Sequence, residues 1–146
     1  MVLNLLQYLD ELKISTHTEK KQIWDPCRKK WVALTPEEMV RQLFIVYLTH
    51  HRGIPLNHIG SEKEIKLEKT RKRFDLILYS PDLKPGVLVE CKAPEIELNE
   101  SVIAQVVRYN RILSVGFLVV VNGQECRVFK SSPSSWEEQD EFPTLV

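Results

Sequence analysis

Phe74-Asp75-Leu76-Ile77-Leu78-Tyr79, then Ser80-Pro81-Asp82-Leu83-Lys84-Pro85-Gly86, then Val87-Leu88-Val89-Glu90-Cys91-Lys92 follow one another without a break. The outer two stretches are apolar runs of strand length and the middle one is built of turn formers, which predicts an antiparallel hairpin with its loop at 80–85. Counting outward from that loop pairs Tyr79 with Gly86, Ile77 with Leu88 and Asp75 with Glu90. Side chains alternate across a strand, so Glu90 and Lys92 share one face while Val89 and Cys91 take the other. Two carboxylates and an ammonium then crowd one patch of an apolar sheet. Removing charges from water is costly, so such a patch is not placed there for stability. It has the character of a metal site.

The hairpin supplies Arg73-Phe74-Asp75 and Val89-Glu90-Cys91-Lys92-Ala93-Pro94, and around it stand Asp25-Pro26-Cys27-Arg28-Lys29-Lys30, Leu34-Thr35-Pro36-Glu37-Glu38-Met39-Val40-Arg41-Gln42 and Gln105-x-x-x-Tyr109. Asp, E-x-K and Q-x-x-x-Y in this order resemble the PD-(D/E)XK nuclease superfamily. Within it, residues 23–130 resemble the N-terminal nuclease domain of the restriction subunit of type I restriction enzymes. Phe74 replaces the proline of the literal "PD"; Pro81-Asp82 supplies one, but in a loop where both are ordinary turn residues, so Asp75 is taken as the site aspartate. The resemblance implies Asp75, Glu90 and the Cys91 backbone carbonyl as ligands of Mg²⁺ or Mn²⁺, and Lys92, Gln105 and Tyr109 as further catalytic residues. Asp75 and Glu90 are the hard oxygen donors such an ion prefers. Without the resemblance, Lys92 reads as a salt-bridge partner and Tyr109 as core packing.

The clearest helix begins at Thr35, with Pro36 at its first position and Glu38 completing a capping box. Val40, Leu43, Phe44, Tyr47 and Leu48 form its apolar stripe, and His50 to Gly53 end it. The resemblance implies a metal-site glutamate on this helix. At 100° per residue, Glu37 lies about 60° from Val40 and Glu38 about 160° away, which favours Glu37 as the inward metal-site carboxylate, with Glu38 as the alternative. Before the helix, residues 3–12 fit a short helix or a docking arm, and Lys13 to Leu34 reads as β structure with Trp24 and Trp31 packing. Ile59 to Leu67 reads as a charged edge strand. A helix capped by Asn99 reaches about Leu113, with Val102, Val106, Tyr109 and Leu113 apolar; Phe117–Val121 is a buried strand, and Asn122-Gly123 turns into a last strand at Cys126–Phe129. The crossover through the second helix requires a mixed sheet. The expected class is α/β, of the α+β kind: a restriction-endonuclease-like mixed sheet flanked by helices. Its parts are an N-terminal arm and hairpin (1–34), a core (35–130) and a linker-like acidic tail (131–146).

The 146 residues carry 20 basic and 20 acidic side chains, so no global field draws the chain to nucleic acid. Locally, Lys69, Arg71, Lys72 and Arg73 precede the Asp75 strand and read either as phosphate contacts or as a solvated strand end. Cys27, Cys91 and Cys126 match no zinc spacing, and the four histidines form no zinc motif. No phosphate-binding loop for ATP is present, so the motor of complete type I subunits is absent from this sequence. A cytoplasmic location, DNA as substrate (with RNA or branched DNA as alternatives), a homodimer able to cut both strands and restriction-modification partner proteins complete the expectations, and no membrane contact is among them. The main alternative is a catalytically inactive nucleic-acid-binding or complex-assembly module on the same fold.

Overall fold

A computed structural model shows, among the described residues, two sheets and two α-helices in an α+β arrangement. It describes every residue except 18, 68–69, 111–114 and 145–146, and the side chains of residues 67 and 70 are also outside the description. Two residues singled out from the sequence, Lys69 and Leu113, therefore lie outside the described residues.

Strands β1 (Ile14–Ser15), β2 (Gln22–Asp25) and β3 (Lys30–Ala33) form a small antiparallel sheet in which Trp24 opposes Trp31. Their rings meet edge to face at 5.5 Å. The larger sheet has the order β4 (Ile59–Leu67), β5 (Thr70–Tyr79), β6 (Pro85–Cys91), β7 (Phe117–Val121), β8 (Cys126–Ser131), β9 (Trp136–Gln139). Only β6 and β7 run parallel, because the chain between them crosses over through helix α2 (Glu100–Tyr109). The charged strand β4 is an edge, as its composition predicts.

Helix α1 (Pro36–Val46) opens as the sequence indicates, with the Thr35 hydroxyl accepting from the Glu38 amide at 3.1 Å. A π-helical turn, Tyr47–His51, extends it, and Gly53 at φ +70° takes the left-handed conformation that releases the chain. Val40, Leu43, Phe44 and Leu48 are fully buried against Leu76, Leu78, Val87 and Val89. Each such side chain contributes roughly 1.5–3 kcal/mol relative to an exposed position. Leu98, Ile103 and Val106 cover the opposite face over Phe74, Ile77, Leu88 and Val120. The sheet is thus sandwiched between α1 and α2.

Four local expectations are corrected. Ile77 does pair with Leu88, but a bulge at Leu78/Tyr79 sets Tyr79 opposite Pro85 instead of Gly86, since Leu83 adopts φ +61° in a tighter loop. Residues 5–11 form a 3-10 helix, while Leu3 and Leu5 donate backbone hydrogen bonds to the β7–β8 turn, so the segment is both helical and docked. Helix α2 ends at Tyr109, which is 54% exposed and not part of an apolar face. The segment beginning at Ser131 is no linker: β9 pairs with β8, and Phe142 is buried beside Phe44. No helix among the described residues is long and apolar enough to cross a membrane.

Candidate active site

Asp75 sits where β5 loses its pairing with β6, whose last paired residue with β5 is Val89 opposite Leu76. Its Oδ2 accepts from the backbone N–H of Cys91 at 2.7 Å, and its Oδ1 from Arg41 Nη2 at 3.2 Å. Glu90, from the neighbouring strand, shares a hydrogen bond with Asp75. Burial, and then the Asp75 charge, push the Glu90 carboxyl up to about 8, with Lys92 and Arg41 opposing the shift. Glu90 and Lys92 line one cleft of about 320 Å³ together with Arg73, Gln105, Val106, Tyr109 and Asn110. Cys91 turns the other way into the core, where burial holds its thiol protonated.

Gln105 and Tyr109 thus reach the same cleft as the E-x-K pair, from one exposed side of α2. The Lys72 ammonium lies 4.1 Å from the Tyr109 ring centroid, and burial lowers its proton affinity. Of the basic run, Arg73 lines the cleft, Lys72 is buried beneath it, and Arg71 is exposed beside Glu64 at 4.0 Å.

On α1 the sequence geometry is reversed: Glu38 is buried and Glu37 exposed. The apolar stripe alone points Glu38 outward, but α1 buries a second row, Glu38, Arg41, Gln42 and Ile45, at helical spacing. That row faces polar partners. The Glu38 carboxylate accepts from Arg28 Nη2 at 2.6 Å and from Gln42 Nε2 at 3.1 Å instead of closing a capping box. Arg28 also binds Asp25, a fully buried carboxylate that accepts from the Cys27 and Arg28 amides and from the Ser61 hydroxyl. Burial works against the Asp25 charge, yet these hydrogen bonds outweigh it and hold its carboxyl below the usual range.

Arg41 was not singled out from the sequence, and it is the hub. Its guanidinium lies 3.5 Å from Glu38, 2.5 Å from Glu62 and 3.2 Å from Asp75. Burial disfavours its charge, and Glu38, Asp75 and Glu62 together more than restore it. An Arg three residues after a Glu on a helix was the available signal. Among the described residues no three His, Cys, Asp or Glu side chains gather as a metal-binding group. Glu38 is committed to Arg28 and Gln42, and Asp75 to Arg41 and the Cys91 amide, while Glu90 is the carboxylate that lines the cleft.

Residues 36–143 match the family described as type I restriction enzyme R protein N terminus. The chain belongs to that family. The match spans α1, all six strands of the large sheet and α2, and so contains Asp75 and every residue lining the Glu90–Lys92 cleft. No curated protein matches the chain. The hairpin carrying Asp25 and Arg28 lies before the matched residues, yet this R-protein N-terminal domain holds it by direct ion pairs to α1.

Proposed function

We propose that this domain is a divalent-metal-dependent DNA nuclease of the PD-(D/E)XK type that hydrolyses phosphodiester bonds. The observation that carries the reading is the Asp75–Glu90 pair: two carboxylates driven together, of which Glu90, raised to about 8, lines a cleft that also holds Lys92 and Gln105. A fold that needed only stability would not retain this repulsion. The pair suits Mg²⁺ or Mn²⁺, which takes oxygen donors, keeps several waters and needs few protein ligands; the Cys91 carbonyl is the third donor in this reading. Such an ion would supply acidification of water and neutralisation of charge at phosphorus.

The chain's own residues do the rest. Arg41 and the Cys91 amide hold the Asp75 carboxylate in its orientation. Lys92 places a positive charge on the cleft wall, where it stabilises the oxygens of the phosphate as water adds to phosphorus. One ester P–O bond then breaks, and the departing oxygen takes a proton. Gln105 and Tyr109 position the nucleic acid, and Arg73 contacts its backbone. The family match makes DNA the substrate of first choice and other restriction subunits the partners of first choice.

One observation favours the inactive-module alternative: Asp75 Oδ1 is already engaged by the Arg41 guanidinium. The deciding experiment incubates plasmid, linear duplex and single-stranded DNA with the protein in Mg²⁺, Mn²⁺ or EDTA, beside Asp75→Asn. Metal-dependent cutting that the variant lacks supports the nuclease. Intact DNA in every lane, with no Mn²⁺ binding by folded protein, transfers the conclusion to the module.

A further inference from the structure

Glu62 is built into the edge of the site in an unusual way. It lies on β4 opposite Asp75, at the one position where the β4–β5 pairing from Ile59 to Leu67 is interrupted. Its φ is +55°, a left-handed conformation that non-glycine residues seldom adopt and that is retained where a site requires it. The carboxylate is shared between two arginines: Oε1 lies 2.5 Å from Arg41 Nη2, and Oε2 lies 3.4 Å from Arg73 Nη1. Arg73 lines the cleft beside Glu90 and Lys92. Arg41 is 6% exposed, and its Nε and Nη1 have no hydrogen-bond acceptor. A buried guanidinium with spare donors is an incompletely used anion site.

We propose that Arg41 and Arg73 form a subsite for a nucleic-acid backbone phosphate, and that the Glu62 carboxylate occupies it in the free protein as a displaceable plug. The two carboxylate oxygens reach separate guanidiniums, as two non-bridging oxygens of a phosphodiester would. Glu62 sits on an edge strand with its side chain one-quarter exposed, so it has solvent to swing into. Arg41 keeps its contacts to Glu38 and Asp75 throughout, which places the captured phosphate beside the Asp75–Glu90 pair. The choice of a backbone phosphate rests on the nuclease reading; the plug itself is tested without cleavage.

The test is fluorescence anisotropy of a short labelled DNA duplex in EDTA over a series of salt concentrations. Glu62→Asn removes the charge and tolerates the left-handed backbone better than glutamate. It is expected to bind about fivefold more tightly, the upper end for a partly exposed ion pair. The plot of log affinity against log salt steepens by about one, for one additional phosphate contact. Glu64→Gln deletes an equal charge two residues away and leaves affinity near wild type. Adding Arg73→Gln to Glu62→Asn cancels the gain. Equal gains at Glu62 and Glu64, or a gain that survives loss of Arg73, overturn the plug. Should Glu62→Asn not fold, inorganic phosphate is titrated into the wild-type protein while the arginine Nε–H signals are followed by NMR. Movement of Arg41 and Arg73 supports the subsite; stationary signals refute it. A working plug on a protein that never cuts DNA would refute the nuclease alone, and cutting without the plug's signature would refute this inference alone.

Discussion

Glu90→Gln isolates the strain stored in the Asp75–Glu90 pair. Burial and Asp75 lift the Glu90 carboxyl from 4.5 to about 8, so between those values the folded protein holds a proton that the unfolded chain has released. The Glu90 contribution to stability is therefore greatest below about 4.5, declines as pH rises through the window and levels off above about 8. At about 1.4 kcal/mol per pH unit, the interval of 3.5 bounds the loss at about 5 kcal/mol. Water reaches part of this cleft, which reduces the loss to about 2 kcal/mol. Glutamine keeps the shape, stays neutral and can donate to Asp75. At about 3 °C per kcal/mol for a chain of this size, the variant should match wild type near pH 4.5 and melt about 6 °C higher by pH 8.5. Scanning calorimetry in EDTA across that range measures the difference directly, and the other titrating groups cancel between the two proteins. A difference that is constant with pH, or a variant less stable at every pH, would refute the argument that the two carboxylates are held together against their repulsion. Saturating Mn²⁺ supplies the converse arm. At a hundred times its dissociation constant it should stabilise wild type by about 2.7 kcal/mol and Glu90→Gln by far less.

Two further outcomes follow from the same contacts. Lys92→Ala should retain Mn²⁺ binding and lose cleavage by about 10²–10³-fold, the scale for removing one charge-stabilising group; equal loss of both, measured by calorimetric titration and a plasmid assay, would make Lys92 structural. Asp25→Ala strips the partners from Arg28, Ser61 and two amides inside a fully buried site, so it should cost about 3–5 kcal/mol and lower Tm by about 10 °C. Because the Asp25 carboxyl is held low, its stabilisation is present above about 3.8 and lost as pH falls through its folded value, so the variant's deficit should shrink in acid.

The parts of this fold that were legible in the sequence are those set by local periodicity. Ile77 opposite Leu88, the capped starts of α1 and α2, the crossover that makes β6 and β7 parallel, and Glu90 and Lys92 on one face follow from spacing and turn chemistry, while Gln105 beside them was implied by the family resemblance. What was not legible depends on partners distant in sequence. The choice between Glu37 and Glu38 fails when only one face of α1 is assumed to be covered, because the N-terminal hairpin hides a second, polar face. Strand β9 was masked by composition: Trp136-Glu137-Glu138-Gln139 reads as an acidic tail until Arg127 meets Glu138 at 2.6 Å and Lys130 faces Glu137 across the edge. Edge strands are polar for good reason, so polarity alone does not exclude a strand.

The charges that seemed scattered in the sequence form one alternating row. From Asp25 through Arg28, Glu38 and Arg41 to Asp75 and the Cys91 amide, every carboxylate meets a guanidinium or an N–H, and the row runs from the small sheet through α1 into the large one. A net charge of zero is therefore a poor guide to what this protein binds, since much of its positive charge is used internally. The same row explains how Asp75 is held in orientation beside Glu90: Arg41 pairs with its Oδ1, and Arg28 anchors Glu38, which in turn anchors Arg41. The hairpin carrying Asp25 and Arg28 thus belongs to the site's electrostatics although it lies before the matched residues of the family. Substitutions there should be felt at Asp75, whose nearest cation is fixed at the far end of that row.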